Sequence, residues 1–184
     1  MGGRAAYGSY PNLIYETFNE PELVDWSTTV KPYHQAVVAA IREVDPDNLI
    51  VLGSPEWCQR PDEAAADPVA GSNLAYALHF YACSHGQGIR EQGEAALSGR
   101  LALFVTEWGA TGYDGGLDGI VCEADAALWH DWMDARSISW TAWKFDDCTP
   151  DSTCILREDA PLDGGYTDEW LHGHGPFVRD RMLD

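Results

Sequence analysis

Lysine is nearly missing from this chain of 184 residues, with Lys31 and Lys144 the only two. The rest of the positive charge is arginine, and 11 basic residues stand against 30 acidic ones, a formal net charge of -19. A chain charged in this way repels phosphate backbones and has no basic stripe to hold them, which argues against nucleic acid as a partner. The surplus of aspartate fits either an adaptation to high salt or a coding bias. Long apolar runs are lacking too: no stretch approaches the roughly 18 residues needed to cross a membrane. The opening residues Met1, Gly2, Gly3 and Arg4 lack the apolar core of a secretory leader. Cysteine pairs at zinc-ligand spacing are also absent.

What is present suits one packed core, since 45% of residues are hydrophobic and 11% aromatic. The chain is therefore read as a single domain over 1–184. Its five cysteines cannot all pair with one another. Cys148 and Cys154 can close a small loop, Cys58 and Cys83 follow strands that could be neighbours, and Cys122 is the expected odd one. A disulfide at either place would imply an oxidising compartment.

Strand-like and helix-like patterns alternate along the chain. Residues 12–18 alternate in polarity and stop at Pro21, while Val30, Tyr33, Val37, Ala40, Ile41 and Val44 recur at helical spacing until Asp45, Pro46 and Asp47. Short apolar runs at 48–52, 74–81, 101–106 and 138–143 suit strands buried on both faces, and helical patterns lie at 88–98, 122–136 and 167–182. Five alternations predict a parallel α/β architecture. Each strand delivers polar or aromatic residues at its C-terminal end: Asn19 and Glu20, Trp57 a little further on, His79 and Tyr81, Glu107 and Trp108, and Trp143. Parallel α/β enzymes place their chemistry there.

Cleavage of a glycosidic bond with retention needs a carboxylic acid to protonate the leaving oxygen and a carboxylate to attack the anomeric carbon, about 5 to 5.5 Å apart. Glu20 and Glu107, at the ends of two strands, fit that need if the sheet closes. No metal or other cofactor is called for. The loop at 111–119 lacks the ligand spacing of a calcium site and is read as a flexible loop. His172, Gly173 and His174 are read as a solvated turn rather than a metal site, and Trp26, Trp129, Trp132 and Trp140 as packing residues.

The ordered set Leu13-Ile14-Tyr15-Glu16, Asn19-Glu20-Pro21, Lys31-Pro32-Tyr33, Asp45-Pro46-Asp47-Asn48, Ala77-Leu78-His79-Phe80-Tyr81, Phe104-Val105-Thr106-Glu107-Trp108-Gly109 and Ile138-Ser139-Trp140 with Trp143 resembles glycoside hydrolase family 5, in particular its bacterial endoglucanases. The resemblance implies a (β/α)8 TIM barrel, present here as five βα units corresponding to strands 4 to 8, with the first three units missing. It implies Glu20 as acid/base, Glu107 as nucleophile, and Asn19 as a hydrogen-bond partner of the sugar 2-hydroxyl. Tyr81 would donate its hydroxyl to Glu107, His79 would shape the same subsite, and Trp57 and Trp143 would stack on sugar faces. The implied substrate is a β-1,4-glucan polysaccharide or oligosaccharide, and the implied location is extracellular.

The missing units take with them an arginine and a histidine that the family places near the nucleophile, and Cys148 stands roughly where many relatives carry a lysine. Unpaired edges at the first and last strands predict self-association or pairing with a missing N-terminal half. The chain alone is expected to have weak or no activity. Two alternatives use the same residues: a β-mannanase or related β-glycanase with both glutamates, and an inactive carbohydrate-binding fragment that needs only the tryptophans.

Overall fold

The computed structural model describes residues 10–183, so the leader reading, which rests on residues 1–4, falls outside the described residues. Five strands, β1 (Ile14–Glu16), β2 (Leu49–Leu52), β3 (Leu74–Tyr81), β4 (Leu103–Gly109) and β5 (Ser139–Trp140), form one parallel sheet in the order β1-β2-β3-β4-β5. Spatial order equals chain order, as in a βα repeat where every crossover leads to the adjacent strand. The helices are α1 (Lys31–Arg42), α2 (Pro61–Ala66), α3 (Gln87–Ser98), α4 (Glu123–Asp134) and α5 (Gly175–Leu183).

Burial explains why the central strands read so clearly. Ile50, Val51 and Leu52 of β2 are fully buried, and in β3 every residue from Ala75 to Phe80 is buried. A parallel strand covered on both faces has no polar alternation to display. The edge strands differ. β1 and β5 are only three and two residues long, against the longer stretches expected at 12–18 and 138–143, and Ile14 of β1 is exposed. Short edges limit the unpaired backbone available for association.

The chain divides into two compact units, Met1–His79 with Glu91–Phe104, and Phe80–Arg90 with Val105–Asp184. In the first, β1 pairs with β2 from Ile14 opposite Leu49, and β2 with β3 from Ile50 opposite Leu74. Val51, Cys58, Ala75 and Ala77 form its core, with Leu49 and Phe104 packed against them. Helix α1 follows a π-helical turn, Trp26–Val30, and buries His34, Val38 and Ile41, which share one face at helical spacing. In the second unit, Phe80 of β3 stacks on Trp129 of α4 at 3.9 Å between ring centroids and on Trp108 of β4 at 5.8 Å. His130 meets the Trp108 ring edge-on at 4.5 Å. Trp26, Trp129 and Trp132 are buried packing residues as expected, and Trp140 is half-buried.

Two expectations from sequence are corrected here. Cys83 pairs with Cys122, at a Cα separation of 5.3 Å, and not with Cys58. The backbone brings Cys122 to β4, where its N–H donates to Ala110 O, and Cys83 alongside, where its N–H donates to Thr111 O. Cys58, the cysteine outside both disulfides, is buried and donates its thiol to Asn19 O at 3.0 Å. Cys148 and Cys154 do form a disulfide. The helix expected at 167–182 is broken into a 3-10 turn, Asp168–Trp170, and α5, because the segment between them, with Gly173 at a φ of +51°, is held by other contacts.

Candidate active site

In the first unit, β1 runs toward Asn19 and Glu20, and β3 brings His79 beside them. His79 is buried, and its Nδ1 lies 2.9 Å from Glu20 Oε1. Glu16, a residue the sequence reading had not singled out for the site, places its carboxylate 4.0 Å from His79 Nε2. Asn19 is exposed, while its carbonyl is held by the Cys58 thiol.

Trp57 sits in a turn, Pro55–Cys58, whose backbone is unusual. Glu56, Trp57 and Cys58 have φ of 53°, 56° and 59°, three consecutive non-glycine residues in the left-handed region. Each such residue costs about 1–2 kcal/mol against right-handed backbone, so surrounding bonds must hold the turn. They run to the segment carrying Glu20: Trp57 N–H donates to Pro21 O at 2.9 Å and Glu56 N–H to Glu22 O at 3.0 Å. Arg60 binds Asp62 and Glu63 at 2.9 Å and reaches Glu56 at 3.5 Å. The indole that results is 39% exposed, which suits presentation rather than packing. Strain of this kind concentrates at functional positions.

In the second unit, Tyr81 donates its hydroxyl to Glu107 Oε1 at 2.7 Å, and both residues are buried. Gly109 makes room for that tyrosine, since a Cβ there would sit 2.8 Å from Tyr81 Cδ1 and 2.9 Å from Cε1. Trp143 follows β5 with its indole 45% exposed, and its N–H donates to Trp108 O at 2.9 Å. Lys144 extends Nζ to 3.6 Å from Asp151 and lies 5.8 Å from the Trp143 ring centroid. Cys148, where a lysine was expected by resemblance, is instead engaged in its disulfide.

The expectation of a solvated turn at His172 to His174 is overturned. His174 is fully buried, accepting from Ala110 N–H at Nδ1 (3.2 Å), with Nε2 2.9 Å from Thr153 O. Those contacts fix the tautomer with the proton on Nε2. Burial lowers its pKa to about 4, although the Thr153 carbonyl and Asp151 pull the other way. His130 is lowered to about 4 by burial and then by Arg181. The loop at 111–119 is a loop as expected, but a tethered one, with Ser152 Oγ bonded to Gly116 O at 2.7 Å and Tyr113 N–H to Ser84 Oγ at 3.2 Å.

Parallel βα repeats with a histidine-bound and a tyrosine-bound carboxylate at strand C-termini define an enzyme scaffold of the β/α-barrel class. The model for Cellulase (glycosyl hydrolase family 5) matches residues 4–149. Endoglucanase Z of Dickeya dadantii is 48% identical over 141 residues, covering 77% of this chain and 33% of that protein. Endoglucanase A of Evansella cellulosilytica is 41% identical over 182 residues, covering 98% and 37%. Among solved structures, the catalytic domain of Thermobifida fusca endoglucanase Cel5A superposes with a TM-score of 0.91 at 32% identity, over 98% of this chain and 60% of that one. The same domain has been solved in complex with cellotetraose. The chain belongs to glycosyl hydrolase family 5, and its five βα units are the C-terminal part of the family's (β/α)8 barrel. It spans only about a third of the length of the two curated relatives.

Proposed function

We propose that the chain carries the catalytic pair of a retaining hydrolase of β-1,4-glucan, with Glu20 as acid/base and Glu107 as nucleophile. The observation that carries this reading is on β3: His79 bonds Glu20, and Tyr81 bonds Glu107. Each carboxylate thus has its own hydrogen-bond partner, a histidine in the first unit and a tyrosine in the second.

In the first step the Glu107 carboxylate attacks the anomeric carbon while the Glu20 carboxylic acid gives its proton to the departing glycosidic oxygen. The products are a glycosyl ester on Glu107 and an ionised Glu20. In the second, Glu20 takes a proton from water, whose oxygen attacks the anomeric carbon and releases Glu107. A histidine suits the partner of a group that changes protonation, because its ring nitrogen can accept from the acid and donate to the carboxylate. The Tyr81 hydroxyl supplies a fixed donor to the charge on Glu107. Asn19 would bond the sugar 2-hydroxyl, and Trp57 and Trp143 would receive sugar faces.

Hydrolysis of carboxymethylcellulose and of mannan, measured side by side with the first three βα units of the barrel supplied, tests the substrate. Cleavage of the glucan and not the mannan is expected, and preference for mannan would contradict the reading. Removal of the Tyr81 hydroxyl by Tyr81→Phe should lower kcat about tenfold or more, the scale of one hydrogen bond to a charged group. Gly109→Ala should behave similarly although it deletes no polar atom, because its methyl group displaces the Tyr81 ring. A Gly109→Ala variant with unchanged kcat would show that the ring position is unimportant. We also propose that the protein is exported, a reading supported by its two disulfides. Thiol labelling and peptide mapping of the protein from its native source should find Cys58 as the one free thiol among these five cysteines.

A further inference from the structure

Beyond the carboxylates, Tyr113 is the most exposed aromatic ring among the described residues of the second unit. Tyr113 is 73% exposed, yet its backbone is held on both sides. Its N–H donates to Ser84 Oγ at 3.2 Å, Cys83 N–H donates to Thr111 O at 3.0 Å, and the Cys83–Cys122 disulfide ties the two loops together. Beyond the ring, the chain turns through Gly115 and Gly116, at φ of 95° and 66°, and is fastened again by Ser152.

The ring also has a defined orientation. It lies within 13° of parallel to His85, at 6.4 Å between centroids, and His85 in turn meets Tyr81 edge-on at 6.5 Å. His85 is itself seated, since its Nδ1 accepts from Tyr81 N–H at 3.0 Å and its carbonyl accepts from Trp129 Nε1 at 2.9 Å. A row of three rings therefore leads from the tyrosine that binds Glu107 to an exposed face on a tethered loop. An exposed ring on a tethered backbone, lying parallel to a seated neighbour, is suited to ligands that stack, because the loop carrying it need not be ordered on binding.

Resting on the glucan-hydrolase reading above, we propose that Tyr113 is a sugar-stacking platform, a subsite for a pyranose of the β-glucan chain beyond the residues at the cleavage point. It adds affinity for longer chains and leaves the chemical step untouched. Net negative charge on the protein is no obstacle to this ligand, which is neutral.

Calorimetric titration of the chain with cellohexaose and with cellotriose tests the platform, using Glu20→Gln as the background so that turnover does not intrude. Tyr113→Ala should weaken cellohexaose about tenfold through the loss of buried apolar ring area, with cellotriose changed less than twofold, whereas Tyr113→Phe should bind both as the parent does. Equal affinity of Tyr113→Ala and parent for cellohexaose would overturn the platform alone. Equal weakening for both ligands would overturn it as well, because the effect would then not depend on chain length. Failure of the Glu20→Gln chain to bind either ligand with Tyr113 intact would overturn the glucan reading and the platform with it.

Discussion

In a barrel completed with its first three βα units, glutamine at position 107 should lower kcat on β-1,4-glucan by on the order of 10³-fold or more, since the amide cannot form the glycosyl ester that divides the reaction into two steps. Glutamine at position 20 removes a proton donor and should cost about 10²- to 10⁴-fold on the same substrate. The two losses differ in a diagnostic way. An aryl glycoside with an acidic phenol leaves without protonation, so with Glu20→Gln the first step should stay fast and the second become limiting. A burst of phenol should then precede slow turnover. Glu107→Gln should show no burst on any substrate. Either variant within tenfold of the parent on glucan would remove that glutamate from the mechanism.

The second large effect is on stability. His130 and His174 are buried and neutral, each with a pKa near 4, against about 6.5 in an unfolded chain. Above pH 6.5 neither state binds the proton and the full stability is present. As pH falls from 6.5 to 4, the unfolded state takes up protons that the folded state refuses, and stability drops by about 1.4 kcal/mol per pH unit per histidine. Each should contribute a loss of about 3 kcal/mol by pH 4, a large share of the roughly 5–15 kcal/mol that holds a domain together. Burial lowers the His34 pKa too, which adds in the same direction. Asp45 acts in a separate, lower window. Burial would raise its carboxyl, but hydrogen bonds from Asn48, Tyr15 and the Asp47 N–H outweigh that and hold it at about 2. Its contribution is present above pH 3.8 and is lost as pH falls through about 2.

Urea unfolding at pH 7.0, 5.5 and 4.5 measures the histidine effect. His174→Gln keeps an acceptor for Ala110 N–H and a donor for Thr153 O, so it should reduce the pH slope with little cost at pH 7. A stability that is flat between pH 6.5 and 4.5 would contradict the buried neutral state.

How much of this was legible in sequence varied with the range of the interactions involved. β3 was read with its observed bounds because a strand buried on both faces prints an unbroken apolar run, whereas strand-end position marked Glu20, His79, Tyr81, Glu107 and Trp143 only as candidates, and the roles proposed for them came from the family resemblance. The edge strands came out too long, since the alternation of 12–18 and the apolar run of 138–143 extend past the few residues that find a strand partner. The left-handed turn at Trp57 left no trace, because Glu56, Trp57 and Cys58 include no glycine to signal positive φ. It exists through bonds to Pro21 and Glu22. The burial of His174 was equally hidden, as its partners Ala110 and Thr153 lie 64 and 21 residues away. The pairing of Cys83 with Cys122 needed the path of two loops, which composition does not encode.

Proton NMR of the first sugars released from cellohexaose tests the two-glutamate account most directly, read before mutarotation scrambles the anomers. Two displacements at one carbon restore its configuration, so the account predicts that the new reducing end appears as the β anomer and only later equilibrates. Initial release of the α anomer would mean a single displacement by water, and it would contradict the role of Glu107 as nucleophile.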